Sequence, residues 1–119
     1  MTGAGGVGNG WVPPGGVLEL AETPEHGVVR EVLEETGVRV EPERLTGVYK
    51  NMALGVVTLA FRCRVVEGEG RPTAEAKEVA WMAAEEAADL MPEARAVRVV
   101  DALRGGGPFV RVHDGERVL

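Results

Sequence analysis

The chain has 119 residues, 45% of them hydrophobic, a net charge of −6 and a single cysteine. That length and apolar content suit one domain with a core; the acidic balance excludes a protein that coats duplex nucleic acid, and no apolar run reaches the roughly 18 residues of a membrane span. The lone Cys63 cannot close an internal disulfide, and the N-terminus has neither a basic flank nor an apolar stretch, so a cytoplasmic setting is expected.

Residues 1–10, MTGAGGVGNG, are half glycine and predict a flexible leader before a domain spanning 11–119. Their G-x-G-x-x-G match at Gly3, Gly5 and Gly8 is rejected, because no strand can precede it and no helical period follows. WVPPGG (11–16) reads as a short extended piece entering a turn, and residues 17–22 as a loop. Thr23 and Pro24 predict a helix start, as N-cap and first helical residue, and Gly37 its end. VRV (38–40) and LTGVYKN (45–51) read as strands separated at Pro42. Residues 56–66 alternate Val57, Leu59, Phe61, Cys63 and Val65 with polar or small residues, which predicts a strand with Cys63 in the core. EVAWM (78–82) predicts a further strand, AAEEAADLM (83–91) a short helix, and Pro92 to about Arg104 another. FVRVHDGERVL (109–119) predicts a hairpin turning at Asp114-Gly115. Strands mixed with helices give a layered α/β or α+β domain.

Charge is concentrated rather than spread. Residues 19–35 hold Glu19, Glu22, Glu25, Glu31, Glu34 and Glu35 against Arg30 alone. At about 100° per residue, Val28, Val29, Val32, Leu33 and Thr36 fall on one arc of the helix, the expected buried face. Glu31, Glu34 and Glu35 fall on the opposite arc, with Gly27 one turn back and Arg30 at the edge. His26 lies at the far edge of the buried arc and is not read as a ligand. The pattern is locally unfavourable. Glycine inside a helix costs about 1 kcal/mol against alanine. Carboxylate pairs at i+3 and i+4 cost a few tenths more, roughly, and Glu34 and Glu35 oppose the macrodipole. Two readings remain at this point: a solvated acidic face with no ligand, or a seat for a hard divalent cation such as Mg²⁺ or Mn²⁺.

The wider segment GVLELAETPEHGVVREVLEETGV, residues 16–38, resembles the Nudix box, G-x5-E-x7-R-E-U-x-E-E-x-G-U with U a bulky aliphatic. Gly16, Glu22, Arg30, Glu31, Val32, Glu34, Glu35, Gly37 and Val38 fill its fixed positions. Trp11, Pro14, Gly15 and Gly16 are similar to the W-x-x-P-G-G lead-in. The resemblance to Nudix hydrolases implies an α/β fold, an α/β/α sandwich with a mixed sheet. It implies Mg²⁺- or Mn²⁺-dependent hydrolysis of a nucleoside diphosphate linked to another moiety, with a small nucleotide as substrate. It also implies roles. Glu31, Glu34 and Glu35 are metal ligands, and the Gly16 carbonyl is a further ligand candidate. Arg30 orients a carboxylate, and Glu22 supports the loop. Glu34, Glu35 or, from a later loop, Glu75 takes the proton from the attacking water. Lys50, Arg62 and Arg64 are candidates for phosphate, and Trp11 and Trp81 for base stacking, with salt-bridged and anchoring roles favoured respectively.

The sequence departs from the pattern before the lead-in, where family members carry further strands. The expectation is a sheet lacking its usual first strands, with a second copy in a homodimer as one way to cover the open edge. The alternative function is a nucleotide-binding or regulatory domain that has lost turnover with those strands. Ala21, where glycine is common, and Gly27, where alanine is common, are smaller departures.

Overall fold

Helix α1, Pro24–Thr36, forms for the reasons its sequence gives. The Thr23 hydroxyl accepts from the His26 amide at 3.2 Å, and Pro24 loses nothing because first-turn amides have no intrahelical acceptor. Gly37 takes the left-handed conformation at φ 74° and donates its N–H to the Leu33 carbonyl at 2.9 Å. The computed structural model describes residues 2–6 and 10–119. In chain order the elements are β1 (Thr2–Gly6), β2 (Trp11–Val12), α1, β3 (Arg39–Asn51), β4 (Val57–Glu67), β5 (Glu78–Met82), α2 (Ala84–Asp89), α3 (Glu93–Leu103) and β6 (Phe109–His113).

The strands form two three-stranded sheets, ordered β2-β1-β5 and β4-β3-β6. The second is mixed: β4 runs antiparallel to β3 and β6 parallel to it. Val28, Val29 and Val32 of α1 pack on Val38, Val40 and Cys63. Cys63 is partly buried at the edge of this cluster rather than inside it, and that burial pushes its thiol up to about 11. Leu33 departs from the expected buried arc and is 37% exposed, because it sits about 100° around from Val32 at the rim of the stripe. A second cluster joins Met82, Ala87, Met91 and Val99, with Trp11 and Ala96 packed on it. No helix among the described residues is long and apolar enough to cross a membrane.

One buried network ties three elements together. The Tyr49 hydroxyl of β3 donates to Asp101 Oδ2 of α3 at 2.9 Å. Arg111 of β6 donates to the same carboxylate through Nε at 2.6 Å and Nη2 at 2.8 Å. Burial alone raises the Asp101 carboxyl, but Arg111 and Tyr49 more than offset it and hold it below its ordinary value.

Three expectations need correction. Residues 38–40 and 45–51 belong to one strand, because register shifts at Pro42/Arg44 and Leu45/Gly47 let the ladder continue past a proline that has no N–H to donate. Phe109–His113 is the arm of a hairpin only at its end, where His113 bridges Val118. It pairs in parallel with Gly47–Asn51, a longer ladder than its own tail offers, and of the hairpin only a His113–Val118 bridge and the Asp114-Gly115 turn remain. Within the segment expected to be a loose leader, Thr2–Gly6 pairs with Glu78–Met82 on one side and Trp11–Val12 on the other. Ladder hydrogen bonds use backbone alone, so a glycine-rich stretch can fill the place between two strands. The rest of that expectation, at residues 1 and 7–9, lies outside the described residues.

Candidate active site

Two segments far apart in sequence bring carboxylates together. Glu31 and Glu34 project from the same side of α1, as i, i+3 spacing requires. Glu75 arrives from the connection between β4 and β5. Each of the three places an oxygen within 4.8 Å of the other two. Glu31 is half-buried, and Glu34 and Glu75 are exposed.

Arg30 organises the box side of this group. Its Nε donates to Glu22 Oε2 at 2.6 Å and its Nη2 to Glu22 Oε1 at 2.8 Å. Its Nη1 donates to Glu31 Oε1 at 2.8 Å and Glu34 Oε2 at 3.2 Å, and Nη2 also reaches the Val17 carbonyl at 3.2 Å. The Arg30 guanidinium holds the Glu22 carboxyl down to about 2, and Glu22 in turn raises Arg30. Sequence spacing pairs Arg30 with Glu34; the structure adds Glu22 as its strongest partner.

Glu35 stands beside the cluster with its carboxylate turned to the lead-in loop, where Oε2 accepts from the Gly15 amide at 2.8 Å. Burial pushes its carboxyl above the ordinary value. The Gly15 bond opposes this, and the charges of Glu31, Glu75 and Glu34 reinforce it. Gly16 packs directly on the Glu31 carboxylate, leaving no room for a side chain. Gly27 has a comparable cause: the loop crosses over it, and a β-carbon there would meet Leu18 Cδ1 at 2.5 Å and Glu22 Oε1 at 3.2 Å.

The Glu75 segment is fastened to the end of α1. The Arg71 amide donates to the Thr36 carbonyl at 2.8 Å and the Thr73 hydroxyl to the Glu35 carbonyl at 2.9 Å. Sequence reasoning missed Thr73 and Gly15. A threonine two residues before an acid is a signal for a side-chain turn, but nothing local announces that the turn lands on α1.

The donor set suits a hard cation. Every ligand atom in the group is a carboxylate oxygen, and no His or Cys of the described residues joins it. Of the other candidates, Arg62 pairs with Glu43 at 3.9 Å and Arg64 with Glu41, the salt-bridged roles favoured for them. Lys50 and His26 are exposed. Trp11 packs on the Met82 cluster and its carbonyl accepts from Arg95. Trp81 is 37% exposed and donates its indole N–H to the Glu69 carbonyl at 2.6 Å. An open groove of about 460 Å³ between Pro24, Pro42, Leu45, Leu59 and Phe61 shares no residue with the carboxylate group.

Comparison with known proteins adds four findings. A model of the NUDIX domain family matches residues 3–103. The chain is 53% identical over 109 residues to a MutT-like protein of Streptomyces ambofaciens, covering 92% of this chain and 71% of that one. It is 39% identical over 69 residues to an ADP-ribose pyrophosphatase of Methanocaldococcus jannaschii, covering 55% of this chain and 41% of that protein. Among solved structures it resembles an ADP-ribose pyrophosphatase from Streptococcus suis, with a TM-score of 0.73 at 20% identity, covering 93% of this chain and 88% of that one.

Proposed function

Because the chain belongs to the Nudix family and is a hydrolase of phosphoanhydride bonds, we propose that it cleaves a nucleoside diphosphate linked to another moiety, using Mg²⁺ or Mn²⁺ held by Glu31, Glu34 and Glu75. The observation that carries this is the convergence of those three carboxylates within 4.8 Å on a Nudix box. Glu35, next to them, and the Gly16 carbonyl complete the proposed metal seat. Bound there, the cation supplies Lewis acidity to the diphosphate oxygens and lowers the pKa of a water.

The chain's own residues do the rest. Arg30 fixes Glu31 and Glu34 in orientation while leaving oxygens free, and Glu22 fixes Arg30. Gly15 holds Glu35 by its amide, which anchors the lead-in loop over the site. Glu75 has no hydrogen bond to its carboxylate among the described residues and is exposed, so one oxygen can serve the metal seat while the other takes the water's proton. The alternative of a domain that has lost turnover rested on absent strands. Strand β1 between β2 and β5, and the intact set of box carboxylates, favour the enzyme. The reading needs one chain only. The unpaired Cys63 supports the cytoplasmic setting.

The name of the M. jannaschii relative makes ADP-ribose the first compound to test. The experiment is a panel of ADP-ribose, nucleoside triphosphates, dinucleoside polyphosphates and sugar nucleotides with Mg²⁺ or Mn²⁺. Products split at the diphosphate support the proposal; metal-independent or absent cleavage across the panel opposes it.

A further inference from the structure

Glu75 lies in a connection with no regular structure, yet its carboxylate meets two others that a helix holds in place. Something must fix it. The Thr73 hydroxyl makes three bonds: it donates to the Glu35 carbonyl at 2.9 Å and accepts from the amides of Glu75 at 3.2 Å and Ala76 at 3.3 Å. A hydroxyl has one proton and two lone pairs, so this one is fully used and its direction is set. The Thr73 amide closes the same turn onto the Ala76 carbonyl at 2.8 Å. The helix needs the contact as well, because the Glu35 carbonyl belongs to the last turn of α1 and has no intrahelical donor. One oxygen atom therefore joins the backbone of Glu35 to the backbone of Glu75. Arg71 adds a second tie two residues earlier, but on the far side of Thr73 from Glu75.

We infer that Thr73 is a positioning residue for Glu75: its hydroxyl sets the third carboxylate of the metal seat against the end of α1. The inference rests on the metal-site reading above and names what makes that site rigid. Thr73→Val keeps the shape and removes all three bonds. Thr73→Ser keeps the hydroxyl and removes only a methyl group.

The test measures Mn²⁺ affinity without substrate, by titration calorimetry or electron paramagnetic resonance, for wild type, Thr73→Val, Thr73→Ser, Glu75→Gln and the Thr73→Val/Glu75→Gln double variant. Amide exchange at Glu75 and Ala76 is followed in the metal-free proteins. Thr73→Val is expected to weaken Mn²⁺ by roughly 10–100-fold, as outer-shell partners do, with Thr73→Ser close to wild type. Its amides at Glu75 and Ala76 lose protection while those of α1 keep theirs. In the double variant the valine adds no further loss, because it acts through Glu75. Wild-type affinity in Thr73→Val, equal losses in Val and Ser, or additive losses in the double variant overturn the inference. If wild type binds no Mn²⁺, the metal-site reading fails, and unchanged exchange in Thr73→Val separately overturns the tie between Thr73 and Glu75.

Discussion

Arg30 and Glu22 meet through two parallel hydrogen bonds, Nε to Oε2 at 2.6 Å and Nη2 to Oε1 at 2.8 Å, eight residues apart in sequence. The pair locks the guanidinium plane, so that its remaining nitrogen faces Glu31 and Glu34. A lysine carries the charge but not the planar fork. Arg30→Lys is therefore expected to keep the fold and lower kcat/KM by roughly 10–100-fold. Steady-state kinetics beside a circular dichroism spectrum checks this.

Glu34 is exposed and its carboxylate meets Arg30 at the surface, so its replacement tests chemistry more than stability. Glu34→Gln is expected to lower turnover by more than about 100-fold, beyond the range of an outer-shell partner, with an unchanged spectrum. A fully active variant would refute the role assigned to this residue.

Metal addition gives an independent prediction. A cation that binds only the folded state stabilises it by about 2.7 kcal/mol at a hundred times its dissociation constant. Mn²⁺ should raise the wild-type Tm, and the rise should vanish on removal by chelator and shrink in Glu31→Gln and Glu34→Gln. Differential scanning calorimetry reads each step.

The sequence carried the helix of the site almost completely. Thr23, Pro24 and Gly37 mark its ends by local chemistry, and the spacing of Val28, Val29 and Val32 marks its buried side; all of this lies within residues 23–37. β5 was legible at Glu78–Met82 for a similar reason. What escaped depended on partners distant in sequence. The parallel pairing of Phe109–His113 is decided by the open edge of β3, and the strand at Thr2–Gly6 by backbone bonds that glycines make as well as other residues. Glu75 was a candidate by region, but its approach to Glu31 and Glu34 depends on Thr73 meeting a helix end.

Asp101 is 1% exposed and has two donors, Tyr49 and Arg111. Asp101→Ala strands both. Because Arg111 keeps partial contact with water, the cost is expected at about 2–3 kcal/mol, below that of a wholly buried pair. The folded carboxyl lies below its unfolded value of 3.8, so the unfolded chain takes up the proton first. The contribution is complete above pH 3.8 and is lost as pH falls through the folded value. Urea denaturation of wild type and variant at pH 7 and in the acid range checks both statements.

His113 is 4% exposed. Its Nδ1 accepts from the Gly115 amide at 3.0 Å, and its Nε2 is buried without a partner. Burial first, then the nearby Arg98 charge, lowers its pKa below 6.5, with Asp114 opposing. Below pH 6.5 the unfolded chain binds a proton that the folded one resists. Stability should therefore be level above that pH and decline beneath it, until the folded value is reached. His113→Gln should flatten the decline in denaturant midpoint between pH 7.5 and 5.5.

The parallel ladder from Gly47–Asn51 to Phe109–His113 sets an order of events during folding. β3 and β4 meet across a short turn and can zip early, whereas β6 must return over some sixty residues and lose the entropy of that loop before any ladder bond forms. Contacts made after the rate-limiting barrier weigh on escape from the native state. Weakening Phe109 or Val112 should therefore quicken unfolding while leaving the refolding limb of a chevron nearly where it was.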